Sequence, residues 1–143
     1  HSKTKEGLVR MCACSGTSGF AHVSCLAEQA KILVAEAEDK NLALGATRAD
    51  CDAFNLRWGK WSHCTLCEQQ YHGAARSALG WACWKTYVGR PATDQVRGMA
   101  MTQLGNGLHD AGRHEDALSV KETELSTMRR LGVAEEHMLC VQA

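Results

Sequence analysis

Eight cysteines in 143 residues, most of them closely spaced with one another or with histidine, constrain this chain more than any other feature. Three close pairs stand out in order: Cys12-x-Cys14, His22-x2-Cys25 after a seven-residue gap, and Cys64-x2-Cys67. Zinc takes four ligands at tetrahedral angles, so one site draws on two close pairs from separate segments. The two-residue gap lets the sulfurs of Cys64 and Cys67 reach one ion from a tight turn, and Cys12 and Cys14 can do the same from a knuckle of extended chain. An even number of cysteines also suits the disulfides of a secreted chain. Residues 1–20, however, are polar and Gly/Ser-punctuated, without the apolar core of a signal peptide. The reading is therefore metal ligation in an intracellular protein, cytoplasmic or nuclear. A thioredoxin-type redox role for Cys64 and Cys67 lacks its βαβ context and leaves Cys12 and Cys14 unexplained.

Composition bounds the rest. The aromatic fraction is 6%, which disfavours an all-β sandwich and suits small helices packed through Ala, Leu and Val. Sixteen basic residues balance sixteen acidic ones, with no basic stripe of the kind that tracks phosphates, so nucleic-acid binding is not expected. No apolar run approaches 18 residues, so no membrane span is expected either. The fold class expected is mainly α with a small irregular zinc-binding module and little β.

Helical spacing predicts a first helix from Ser24, as N-cap, to about Lys40, with Leu26, Ala30, Leu33 and Ala37 inward. Asn41–Asn55 reads as a connection. Leu56-Arg57-Trp58-Gly59-Lys60-Trp61 alternates large apolar with polar or small residues and is expected extended. Further helices are predicted from about Gln69 to Tyr87, from Thr93 or Asp94 to Gly112, and from His114 to Leu131, with Gly132 as the stop. Val96, Ala100, Leu104, Leu108 and Ala111 share one face of the second of these; Ala117, Leu118, Leu125 and Met128 point inward from the third. Glu135–Ala143 looks like the opening of another helix. The boundaries of this reading are a zinc module with an inserted helix over 1–67 and a helical region over 68–143.

The ligand order resembles the RING-variant (RING-CH) zinc domain, whose pattern is Cys-x2-Cys, a loop, Cys-x-Cys, seven residues, His-x2-Cys, a spacer and Cys-x2-Cys. Cys12, Cys14, His22, Cys25, Cys64 and Cys67 match its last six positions, and Trp61 stands shortly before the final pair. The resemblance covers residues 8–67. It implies one zinc held by Cys12, Cys14, Cys64 and Cys67, and a second held by His22 and Cys25 with the first Cys-x2-Cys. That first pair does not occur in this sequence, and the 38-residue spacer from Cys25 to Cys64 is longer than usual for the family. Either a longer parent chain supplies the pair, or His1, Cys51, His63 or His72 replaces it. Cys51 is open between core and ligand. Cys83 and Cys140 lie in helical patterns and read as small buried apolar side chains. His109, His114 and His137 read as solvent-facing or capping residues, and the four tryptophans as packing.

Over about residues 92–143, Leu104-Gly105, Leu108, Gly112 and Ala117 resemble part of the tetratricopeptide repeat, and Leu131-Gly132 with His137 is similar to the longer helix pairs of kinesin light chains. Val88-Gly89 and Leu131-Gly132 are helix-ending pairs 43 residues apart, a spacing found in stacked helix pairs. Lys121 and Glu124 stand where that repeat is usually apolar, and a generic helical hairpin is the alternative. Together the resemblances imply a ubiquitin-ligase-type adaptor. The zinc module would dock a conjugating enzyme, with Trp61 and Leu66 as docking residues, and the helices would recruit a substrate peptide. No catalytic residue is implied, since a structural zinc keeps no open position. Where the family often has Pro in its last ligand pair, this chain has Thr65-Leu66. The alternative function is a non-enzymatic interaction scaffold in which zinc only holds the fold; a catalytic zinc hydrolase lacks the expected His and Glu ligands.

Overall fold

Local sequence is most directly expressed where Thr47 meets Asp50. The Thr47 hydroxyl accepts from the Asp50 amide and the Asp50 carboxylate accepts from the Thr47 amide, both at 3.1 Å. This reciprocal cap satisfies two of the orphan donors that every helix start leaves. It opens a helix in a segment that reads from sequence as a connection. The computed structural model describes residues 7–10, 12, 20–42 and 47–132. In chain order they form β1 (Val9–Arg10), β2 (Phe20–Ala21), α1 (Val23–Asp39), α2 (Arg48–Trp58), a 3-10 turn (Gly59–Trp61), α3 (Gly73–Tyr87), α4 (Gln95–Asp110) and α5 (His114–Leu131). β1 and β2 pair antiparallel, Val9 opposite Ala21 and Arg10 opposite Phe20. The chain is mainly helical with very little strand, as the composition and spacing imply.

Three boundaries differ from the sequence reading. α1 has its N-cap at His22, two residues earlier than the expected Ser24; the His22 carbonyl accepts the first helical bond from Leu26 at 3.1 Å, and Ser24 lies inside the first turn. Leu56–Trp61 is helical and 3-10 rather than extended. The reason is the spacing of its tryptophans. A strand would put Trp58 and Trp61 on opposite faces, whereas helical geometry puts both on one face, with Phe54 one turn before. All three are buried and Leu56 is left outside. α3 begins at Gly73 rather than near Gln69, because Gln69–Tyr71 are committed to pairing with Ser62–Cys64. The expected helix at Glu135–Ala143 lies outside the described residues.

One apolar core runs through α1, α2, the 3-10 turn, α3 and the first half of α4. Its aromatic centre is Phe54 stacked on Trp58 at 6.2 Å, Trp58 tilted against Tyr87 at 5.6 Å, and Trp61 edge-on to Tyr87 at 6.0 Å. A smaller cluster of Leu104, Leu108 and Ala117 joins α4 to α5. Leu118 and Leu125, expected inward, are 59% and 50% exposed. α5 turns Ala117 and Val120 toward α4, and the two leucines stand on its other side. Ala111 is likewise exposed at the end of α4.

The tightest helix contact is α3 on α4, antiparallel. A Cβ added at Gly80 would lie 2.8 Å from the Gln103 carbonyl oxygen, and one at Gly107 would lie 2.9 Å from that of Arg76. Both positions demand glycine because backbone, not a flexible side chain, stands opposite. Gly105 faces the Lys121 stem at 3.4 Å, an easier approach. Between α3 and α4 lies Arg76, 1% exposed, which donates to the Gln103 side chain at 2.7 Å and faces the Asp110 carboxylate at 3.7 Å. Burial weakens its hold on its proton, and Asp110 opposes that effect. Arg90 closes the corner after α3. It donates both terminal nitrogens to Glu38 of α1, at 2.8 and 2.9 Å, and lies 5.0 Å over the Tyr87 ring.

Candidate metal centre

Cys64 and Cys67 sit in a short hairpin that follows the 3-10 turn. The Gly59 carbonyl accepts from the amides of Ser62 and His63, which ends that turn. The Cys64 amide then donates to the Gln69 carbonyl at 2.9 Å, and the Tyr71 amide to the Ser62 carbonyl at 2.7 Å. Inside the loop the Glu68 amide donates to the Cys64 carbonyl at 3.0 Å, and Glu68 has the left-handed φ of 58°. The Leu66 amide points at the Cys64 sulfur from 3.4 Å. An amide aimed at sulfur favours the thiolate, the form that binds metal. The hairpin is anchored from beneath by Trp61, fully buried, and by Tyr71.

Cys12 reaches the same place from the connection between β1 and β2. The sulfurs of Cys12, Cys64 and Cys67 all lie within 4.8 Å of one another. Cys12 and Cys64 are buried and Cys67 is half-buried. In a tetrahedral site with zinc–sulfur bonds of about 2.3 Å the sulfurs stand roughly 3.8 Å apart, so this triad fits the ion with only small adjustment. Soft sulfur donors select zinc over calcium or magnesium. None of the three is disulfide-bonded in the structure. Cys14, the fourth ligand expected from sequence, lies outside the described residues, as do His1, His137 and Cys140.

His22 and Cys25 stand together, separately from the triad. His22 ends the segment after β2, Cys25 is in the first turn of α1, and their Nδ1 and Sγ atoms are 4.0 Å apart. Cys25 is exposed. Among the candidate replacements for the missing pair, Cys51 is ruled out. It is buried on α2 and disulfide-bonded, so its sulfur is not available to a metal. His63 is exposed, with Nδ1 2.8 Å from the Ser62 hydroxyl, and His72 is exposed at the start of α3. Neither groups with the cysteines. Cys83 is fully buried in the core, where desolvation pushes its thiol far up, as an inert packing residue requires. His109 and His114 are exposed and meet edge to face at 4.8 Å.

The expected docking residues separate. Leu66 is 68% exposed at the tip of the cysteine hairpin. Trp61 is 0% exposed and offers no surface to a partner, which corrects the sequence reading. The same spacing that brings Trp61 close to the final cysteine pair makes it the floor of the hairpin. Trp58 is core as well, and Trp84 is half-buried under Arg97, whose guanidinium lies 5.3 Å over its ring. No described helix is long and apolar enough to cross a membrane. Comparison with protein-family models, with curated proteins and with solved structures finds no match to this chain.

Proposed function

We propose that the chain is a zinc-stabilised adaptor that binds protein partners, with a closed structural metal site holding the end of α2 and the start of α3 to the β hairpin. The observation that supports this reading is the convergence of Cys12, Cys64 and Cys67 within 4.8 Å from segments some fifty residues apart in sequence. Cys14 is the fourth ligand in this proposal. A four-sulfur site has no open position, so the metal contributes folding energy and no bond-making step. α4 and α5 supply a tetratricopeptide-like helix pair for partner recognition. Plasma mass spectrometry on protein purified without added zinc tests the metal: about one zinc per chain, lost in Cys64→Ser, is the expected result, and a metal-free folded chain overturns it.

A more specific reading is a ubiquitin-ligase-type adaptor in which the cysteine hairpin docks a charged conjugating enzyme. It is favoured by Leu66, 68% exposed at the tip of the hairpin, and by Leu56, 66% exposed on α2. The burial of Trp61 favours the plain scaffold instead. Discharge of a loaded conjugating enzyme separates the two: stimulation by the wild-type chain and not by Leu66→Ala supports docking, and no stimulation leaves the scaffold.

A further inference from the structure

A groove between the start of α4 and the end of α5, with none of the cysteines of the candidate metal centre in its lining, has a volume of about 170 Å³. Its walls are apolar: Ala92, Met101, Met128 and Leu131. Two carboxylates, Asp94 and Glu124, line it as well. Asp94 is engaged in capping α4, accepting from the amides of Val96 and Arg97 at 2.8 and 3.2 Å. Glu124 accepts from the Thr102 hydroxyl. Its removal from water raises its carboxyl from the ordinary value, against the opposing pull of Thr102 and Lys121.

Among the described residues, Lys121 acts on Glu124 from outside the groove, and no basic residue lining the groove pairs with it. Arg97 is the one basic residue among the described lining, and it is committed elsewhere: its Nε donates to the Val88 carbonyl at 3.2 Å and its guanidinium covers Trp84. Lys121 lays its stem across Gly105 and does not line the groove. The last turn of α5 brings that helix's negative end to the groove and the first turn of α4 its positive end, so the helix dipoles offset and the carboxylate of Glu124 sets the local charge. Methionine walls accept varied apolar shapes, and lysine or arginine stems lie readily along them with the charge at one end.

We infer that this groove docks a basic side chain of a protein partner, flanked by apolar residues, with its stem along Met101 and Met128 and its cationic head at Glu124. The inference deepens the adaptor reading by naming the partner's chemistry, and it does not depend on the metal. A half-buried carboxylate gains more from a charged donor than an exposed one does, because less water must be displaced from it on binding.

The test is a titration of the full chain, with carbon-13 labelled methionine methyls, by two blocked pentapeptides. One has lysine between two leucines; the other has norleucine in its place. The lysine peptide is expected to shift the Met101 and Met128 methyls, with binding roughly tenfold or more weaker for the norleucine peptide and for the lysine peptide on Glu124→Gln, the size expected for loss of one charge pair. The glutamine variant keeps an acceptor for Thr102, and its unchanged remaining spectrum confirms its fold. Equal binding of the two peptides overturns the charge recognition. Silence of both methyls overturns the site, including the case in which residues 133–143 cover it. Metal content measured on the same sample separates failure of the zinc proposal from failure of this one.

Discussion

At the scale of single residues, two buried groups decide most. Cys64 is the hub of its hairpin, since its amide, carbonyl and sulfur all take part in hydrogen bonds. Cys64→Ser is expected to abolish metal retention and to lower the melting temperature markedly. The check is metal content alongside a thermal melt followed by circular dichroism. The candidacy of this residue was plain from its spacing, because few physical reasons other than metal or redox chemistry place cysteines two residues apart. Arg76 was not legible. A lone arginine in a helical pattern reads as surface, and only the packing of α3 on α4 shows it 1% exposed between Gln103 and Asp110. Arg76→Met keeps the stem and removes the charge. It leaves Gln103 without its donor, for an expected loss of about 1–3 kcal/mol in urea unfolding. Little or no loss there would show that Gln103 and Asp110 are satisfied equally well by water.

Among elements, the contrast between glycines carries the argument. In α3 and α4, Gly80 and Gly107 each face a carbonyl oxygen of the neighbouring helix at less than 3 Å from a would-be Cβ. Alanine at either position must push the helices apart, for an expected cost of about 1–3 kcal/mol despite its better helix propensity. Gly98, also in α4, meets nothing within 4 Å. Gly98→Ala should therefore stabilise by up to about 1 kcal/mol. Urea midpoints of the three variants test the pair of statements together, and a common sign for all three would refute the packing account. The helix ends of α4 and α5 were readable because Asp94, Gly112 and Gly132 are local devices: a cap and two left-handed turns, with φ of 77° and 66° at the glycines. The glycine contacts between helices were not, since which glycine touches which carbonyl depends on register between elements.

For the whole molecule, the cysteine hairpin and the helices share one core. Cys12 and Cys64 belong to the same buried cluster as Trp61, Tyr71, Tyr87 and Met99. Removal of metal with a strong chelator is therefore expected to lower stability across α1 to α4 in one transition rather than to melt the hairpin alone. Coincident loss of near-ultraviolet and far-ultraviolet circular dichroism checks this. Metal retention should also fall as pH falls, since each cysteine must shed a proton to bind. The Arg90 clamp onto Glu38 works at the same scale, joining α1 to the corner between α3 and α4. Both side chains are about a third exposed, so solvent screening limits it; Arg90→Ala is expected to cost about 1 kcal/mol in the same unfolding experiment.

The sequence by itself determined the local features: the cysteine pairs, the helix stops at glycine, the Asp94 cap and the predominance of helix. Each depends on residues within a few positions of one another, so spacing and side-chain chemistry suffice to read it. The meeting of Cys12 with Cys64 and Cys67 was already implied by the ligand order, and the fold supplies the contact. Tertiary structure alone decided that Trp61 is floor rather than docking surface, that Leu118 and Leu125 stand outside, and that Leu56–Trp61 is helical. These outcomes turn on which face of an element finds a partner to bury it, and an alternating or periodic pattern specifies a face without specifying its partner.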